Sequence, residues 1–380
     1  MKRFIYADHA ATTKLDMDAF EAMKPFLLEE YGNASQAYAF ARKPRQALQE
    51  ARAVIARCIN AYPDEIFFTS GGTESNNWAI KGTSFTNPGQ QVMITSQIEH
   101  HAVLKACEDV ENLGYPVVYV PVTREGVVTT ESLASVITPD TRLVSIMYAN
   151  NEIGTIEPIE ELCEIAHRNG AFFHTDAVQA VGHIPIDVKK LDVDMLSASA
   201  HKFNGPKGIG FLYIKKGTPI TSYISGGAQE AGMRAGTENI ASIVGMAVAL
   251  QKNCDAIAEN ARRLEKLEHI LVERLSTAGL EFVRNGSSHR IPGNVSLSFY
   301  NADGEALLHR LDLLGISVST GAACNKDHTQ ISHVLCAIGL QEEYAKGTIR
   351  VSLGSQNTVG DSESIADMLI SILKPGNMGP

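Results

Sequence analysis

The sequence predicts an α/β protein: a mostly parallel sheet flanked by helices, followed by a smaller α+β unit. Three observations carry this expectation. The middle of the chain alternates short β-branched runs with stretches of helical spacing, the pattern of strands joined by crossover helices. A long helical pattern from about 239 to 278 follows it. Beyond that, strands and helices alternate again in a more compact arrangement.

Taken in order, strands are expected over 65–70, 91–96, 116–122, 141–150, 171–176 and 195–200. Helical spacing lies between them at 73–81, 101–113 and 159–169. The C-terminal unit reads as strand 294–300, helix 303–314, strand 315–320, helix 331–338, strand 348–353 and helix 361–373. The first dozen residues lack partners of their own and are expected to pack near either unit. The division this implies is a large domain over 14–250 and a small one built from 1–13 and 251–380. In open sheets of this kind ligands sit beyond the carboxyl ends of the strands, so residues just after strands are the first candidates for chemistry.

Composition narrows the function classes. With 44% hydrophobic and 20% charged residues the chain has an ordinary globular profile. A net charge of −10 argues against a nonspecific nucleic-acid surface. No apolar stretch approaches the length of a membrane span, and no apolar run follows Lys2 and Arg3, so no signal peptide and a cytoplasmic location are expected. The six cysteines are scattered without a C-x-x-C pair and should be free thiols, most of them acting as small core hydrophobes.

Three segments carry chemistry. Ser70-Gly71-Gly72-Thr73-Glu74-Ser75 follows a strand and opens a helix. Glycines permit close backbone approach, and the first free N–H groups of a helix attract an anion such as phosphate. Gly72 and Thr73 are the candidates; a tight turn capped by Thr73 is the alternative. In Phe172-Phe173-His174-Thr175-Asp176-Ala177-Val178-Gln179 a carboxylate ends an apolar strand, where it needs a partner. A pyridinium nitrogen is one such partner, with Gln179 near the ring oxygen; a helix cap by Asp176 is another reading. Ser199-Ala200-His201-Lys202 ends a further strand before a glycine-rich turn into the next. A lysine in that position can have its pKa lowered and its amine freed for an imine, while Ser199 and His201 are placed to hold phosphate. A surface lysine is the alternative. Together the three segments offer partners for a phosphate, a ring nitrogen and an aldehyde carbon.

These motifs, with Tyr6-Ala7-Asp8-His9-Ala10-Ala11-Thr12-Thr13, Gly32-Asn33, Glu99-His100-His101-Ala102-Val103, Asn150-Asn151-Glu152-Ile153-Gly154, Arg234-Ala235-Gly236-Thr237-Glu238-Asn239, Ala323-Cys324 and Ile349-Arg350-Val351-Ser352-Leu353-Gly354, run almost from end to end. The chain resembles the cysteine desulfurase family, within the fold-type-I enzymes that use pyridoxal 5'-phosphate. The resemblance implies that Lys202 carries the cofactor, Asp176 faces its ring nitrogen, and His100 stacks on the ring and moves protons. It implies that Arg350 and Asn151, assisted by Asn33, bind the substrate carboxylate. It implies that Thr237 reaches the phosphate of a neighbouring subunit, and hence a homodimer with shared active sites. Cys324 becomes the nucleophile that takes sulfur from L-cysteine, leaving L-alanine and a persulfide for an acceptor protein, either a scaffold for iron–sulfur assembly or an enzyme of tRNA thiolation. Its neighbours, Ser319 to His328, are small and polar, and Lys326 lies close in sequence, a setting that favours a thiolate.

The chain departs from the family pattern after the cysteine, where Asn325-Lys326-Asp327-His328 replaces the usual small residues, and in Gly32-Asn33-Ala34-Ser35-Gln36-Ala37-Tyr38. It departs again after Gly354 and at Ala231. These changes bear on the acceptor rather than on the cofactor chemistry. A selenocysteine lyase, an aminotransferase-like relative or a sulfur-carrier protein that needs a partner are the rival readings. Cys324, His328 and His333 have a spacing that permits metal, but no metal site is expected.

Overall fold

The computed structural model describes residues 4–84, 86, 91–320 and 331–374. Its strands are β1 (Ile5–Tyr6), β2 (Ile66–Thr69), β3 (Val92–Ser96), β4 (Val117–Val120), β5 (Thr141–Ser145), β6 (Phe172–Asp176), β7 (Met195–Ser199), β8 (Gly210–Ile214), β9 (Phe282–Arg284), β10 (Asn294–Phe299), β11 (Ile316–Ser317) and β12 (Thr348–Ser352). Seven of them form one sheet in the order β2-β8-β7-β6-β5-β3-β4. β8 runs antiparallel to both its neighbours and the other pairings are parallel. The parallel strands are joined by helices that cover both faces, and β5, β6 and β7 are buried almost throughout, so that even Thr141, Ser145, His174, Thr175 and Ser197 are withdrawn from water. β8 reverses because no crossover α-helix leads into it, only the single 3-10 turn Ala200–Lys202 and a glycine-rich loop. Its first residue must be glycine: a Cβ on Gly210 would lie 2.4 Å from the Ala198 carbonyl oxygen and 2.7 Å from the Gly71 Cα.

One apolar core lies beneath this sheet and gathers Ile94, Val144, Phe173, Leu196 and Phe211 with the helix Ile240–Asp255. A second core forms on the antiparallel sheet β12-β10-β9, where Val295, Leu297, Ile349 and Val351 meet the helices Ile257–Thr277 and Val359–Leu373. The helical stretch 239–278 is therefore not one helix. It breaks at Ala256 with a bend of 70°, because Ile243, Met246 and Leu250 pack into the first core whereas Leu264, Leu267 and Leu271 pack into the second. Two helices absent from the sequence expectation, Met17–Leu28 and Arg42–Cys58, pack on Ile240–Asp255. Asp16 caps the first of them, its Oδ1 accepting from the amides of Asp18 and Ala19.

The N-terminal residues touch both cores. β1 pairs in parallel with β11, Ile5 and Ala7 enter the second core, and Asp8 bridges to Ser352. A few residues on, the Thr13 amide and hydroxyl both donate to the His201 carbonyl, at 2.9 and 2.8 Å. Cys107 and Cys163 are buried as core thiols, whereas Cys58 and Cys254 are half-buried and Cys336 is exposed. No single helix among the described residues is long and apolar enough to cross a membrane.

Candidate active site

The carboxyl ends of β2, β3, β5, β6 and β7 open on one cavity of about 380 Å³. Gly72, Thr73, His100, Asn151, Asp176, Gln179, Ser199, His201, Lys202 and Arg350 all line it. The acid at the end of β6 and the amine after β7 thus face a shared space, as gripping a single pyridine ring requires.

Asp176 is buried, and both its oxygens are held. Oδ2 accepts from Asn76 Nδ2 at 2.6 Å and Oδ1 from the Val178 amide at 3.0 Å. Asn76 lies on the helix Gly72–Ser84, one turn beyond its start, so the glycine turn and the carboxylate belong to one hydrogen-bonded unit. That turn is tight. Gly71 sits at φ +149°, and a Cβ on Gly72 would lie 2.6 Å from Val178 Cγ2. Glu74 fixes it from outside, accepting from the Ser70 amide at 2.8 Å and pairing with both Nε (2.8 Å) and Nη2 (3.1 Å) of Arg234.

Lys202 donates from Nζ to the carbonyl oxygens of Ala10 (2.7 Å) and Ala11 (2.9 Å). Burial and the Arg350 charge pull its pKa down to about 8, against the pull of Asp176 and Asp8. An amine so placed spends far more time neutral than an ordinary lysine, which is what attack on an aldehyde demands. Gln179 also donates to the Ala10 carbonyl, at 3.0 Å, and His201 Nδ1 lies 3.1 Å from the Thr12 hydroxyl. His201 is held neutral, its pKa lowered to about 4 by burial and by Lys202 and Lys207.

His100 both caps a helix and lines the cavity. Its Nδ1 accepts from the Ala102 amide at 3.1 Å, at the head of His101–Asn112. The ring is open to the cavity, yet withdrawal from bulk water lowers its pKa; Asp176 opposes this, and Lys202 and His101 add to it. Two further histidines, His101 and His333, line the wall with ring centroids 4.9 Å apart.

Arg350 is buried on β12. Its Nη1 donates to the Asn151 carbonyl (2.9 Å) and its Nη2 to Asp8 Oδ1 (2.6 Å), while Nε has no partner among the described residues. Beside it Glu152 is buried in the cavity wall, its Oε2 accepting from Ser332 Oγ at 2.5 Å.

The remaining expected site residues lie elsewhere or outside the described residues. Asn33 closes its own turn by accepting from the Ser35 amide at 2.9 Å, and Thr237 is exposed; neither lines the cavity. Cys324 and His328 fall outside the described residues. Asp8 and Glu152 stood in the quoted motifs without a role, Asn76 follows directly on one of them, and the Ala10 and Ala11 carbonyls leave no side-chain signature in a sequence. No group of three or more metal-ligating side chains occurs among the described residues.

The cavity fits pyridoxal phosphate on three observations. A fixed carboxylate and a low-pKa amine share it, buried Asn76 Oδ1 and Arg350 Nε have no polar partner among the described residues, and Gly72 leaves the helix start bare where an anion would bind.

Comparison with known proteins agrees with this geometry. Residues 5–365 match the family model described as aminotransferase class-V. The chain is 49% identical over 377 residues to the cysteine desulfurase IscS of Dictyoglomus turgidum, covering 98% of this chain and 95% of that protein. The solved structure of a NifS-like protein superposes with a TM-score of 0.92 at 39% identity, covering 98% of this chain and all of the other. That of SspA in complex with cysteine gives 0.82 at 35% identity, covering 92% of this chain and 98% of the other. The chain belongs to the class-V aminotransferase family, on its cysteine desulfurase branch.

Proposed function

We propose that this chain is a cysteine desulfurase that holds pyridoxal phosphate on Lys202 and moves sulfur from L-cysteine to Cys324. The observation that carries the reading is the meeting of Asp176, Lys202, His100 and Arg350 in one cavity. When bound, the cofactor supplies an electron sink for the substrate's α-carbon. Gly72, Thr73, Ser199 and His201 would hold its phosphate, Asp176 its ring nitrogen and Gln179 its ring oxygen. Asp176 would favour a proton on that nitrogen, and Asn76 keeps the acid aimed.

Arg350 and Asn151 would bind the substrate carboxylate at the opposite wall. Lys202, with its lowered pKa, carries a proton to and from the α-carbon, and His100 serves the substrate's sulfur side. The Cys324 thiolate attacks the substrate sulfur and the Cβ–S bond breaks. L-cysteine and a thiol thus become L-alanine and a persulfide, with no external oxidant. The persulfide then passes to an acceptor protein.

The proposal extends to a cytoplasmic homodimer and to the domain division 14–250 against 1–13 with 251–380. Leu27, Leu28, Tyr31, Tyr38 and Phe40 are exposed around Asn33, and Ser35 Oγ lies 3.4 Å from Glu238 Oε1, next to Thr237. A second copy seated on this face would bury those apolar groups, and Thr237 of the partner subunit would complete the phosphate site.

Two substitutions test the chemistry. Lys202→Ala should lose the bound cofactor's visible absorbance band and all turnover. Cys324→Ala should keep that band yet form no persulfide. Unchanged sulfide release from Cys324→Ala removes the cysteine from the reaction.

A further inference from the structure

Arg350 has a second task besides its side chain's. Its backbone exchanges both hydrogen bonds with Ser319, the amide of Arg350 donating at 2.6 Å and that of Ser319 at 3.1 Å. Ser319 lies five residues before Cys324 in the sequence. Eight residues after Cys324 comes Ser332, whose hydroxyl donates to Glu152 Oε2 at 2.5 Å. Glu152 follows Asn151 directly, and the Asn151 carbonyl accepts from Arg350 Nη1. Both flanks of the cysteine's stretch of chain are therefore tied to the pair that would hold the substrate carboxylate.

The Glu152–Ser332 bond is built to last. Glu152 is 7% exposed and Ser332 is 5% exposed, so neither partner can exchange the other for water. The acceptor is itself held by its backbone, for the Glu152 amide donates to Asn150 Oδ1 at 2.8 Å. Ser332 also accepts from the Val334 amide at 3.1 Å as the cap of the helix His333–Ala337, whose Val334 and Leu335 are buried with Ile98 and Ile153. Burial lifts the Glu152 carboxyl to about 7, against the Ser332 hydrogen bond and the Arg350 charge. A hydroxyl donor is what such a group requires when ionised.

We infer that Glu152 is a positioning residue for the sulfur-transfer step: through Ser332 it fixes the point at which the chain returns from Cys324. The inference rests on Cys324 being the nucleophile. It separates two steps that share one cavity. Substrate capture depends on Arg350 and Asn151. Persulfide formation depends in addition on where the cysteine's flank is anchored, and a misplaced nucleophile slows attack steeply.

The test compares Glu152→Ala, Ser332→Ala, the double variant and Glu152→Gln in the intact holoenzyme. Cysteine is titrated against the cofactor's absorbance change, and single-turnover persulfide on Cys324 is followed by intact-protein mass. Half-saturation should stay within about twofold of wild type in all variants. Persulfide formation should slow roughly tenfold in either alanine variant, the loss of one buried hydrogen bond, and no further in the double variant. Glu152→Gln, which still accepts from Ser332, should recover most of the rate. If Glu152→Ala does not fold, Ser332→Ala and Glu152→Gln still decide. Losses that multiply in the double variant overturn the inference, as does a rise in half-saturation matching the rate loss, or an unchanged rate. Persulfide that survives Cys324→Ala would instead overturn the underlying reading, and this one with it.

Discussion

Glu99, immediately before the cavity histidine, offers a sharp thermodynamic test. It is fully buried, and its Oε1 accepts from Ser96 Oγ (2.7 Å) and from the Met147 amide (2.9 Å), while Oε2 has no partner among the described residues. Burial lifts its pKa from 4.5 to about 8; the two hydrogen bonds oppose the lift and Asp176 adds to it. The unfolded chain gives up this proton near 4.5, whereas the folded chain keeps it until about 8. Between those values the folded state binds more protons. Its stability is fully present below the lower value and is lost as pH rises through the upper one. Glu99→Gln keeps shape and the Oε1 acceptor but cannot ionise. At about 1.4 kcal/mol per pKa unit, wild type should lose about 4 kcal/mol relative to the variant between pH 5 and 8. The amide adds one unpartnered N–H at a constant cost of about 1–3 kcal/mol. The variant should therefore be the weaker protein at the acid end and the stronger at the alkaline end. Urea titrations at several pH values measure this, read by the fluorescence of Trp78, the chain's one tryptophan, which is buried on the helix Gly72–Ser84. A difference that stays constant to within about 1 kcal/mol across the range would refute the reasoning.

Two further outcomes are expected. Asp8→Asn removes the charge that aims Arg350, and half-saturating cysteine should rise roughly tenfold with the maximal rate changed far less; steady-state kinetics with a thermal melt check this, and a variant that only melts earlier refutes it. Glu230 holds Arg52 through both Nη1 (2.8 Å) and Nη2 (2.6 Å) and accepts from the Phe68 amide at 2.9 Å. Glu230→Ala strands a charged, largely buried arginine and should cost about 3–5 kcal/mol in the same urea assay; a loss below about 1 kcal/mol would show the pair to be solvated.

Much of the sheet was legible because strands buried on both faces carry almost no charge, as in Phe172–Asp176, whose carboxylate comes last, and Met195–Ser199. The expected strand 141–150 was too long: it ends at Ser145, and Asn150 then turns the chain by accepting from the amides of Glu152 and Ile153. The cavity's acid and amine were legible since each is a costly residue type at the end of an apolar strand, whereas the arginine's place was implied by the family resemblance. What organises them was not. The Asp8–Arg350 pair spans 342 positions, and Glu152–Ser332 spans 180. Pairings at such separations are settled by topology, and local spacing holds no trace of them. The single helix expected over 239–278 failed for a related reason: helical periodicity continues through Ala256 although the apolar faces before and after it serve different cores.

The stitching of the first residues to β12 also bears on how the enzyme is born. Ala7 and Asp8 leave the ribosome early, but Arg350, the partner of Asp8, follows 342 residues later. At about 5–20 residues per second the N-terminus waits some tens of seconds for it. Until then the carbonyl pair that parks Lys202 is held from the large domain alone, by Thr13 on the His201 carbonyl and Gln179 on the Ala10 carbonyl. The cavity wall that carries Arg350 is thus the last to be joined to the N-terminal strand, long after the acid and the amine of the large sheet have been made.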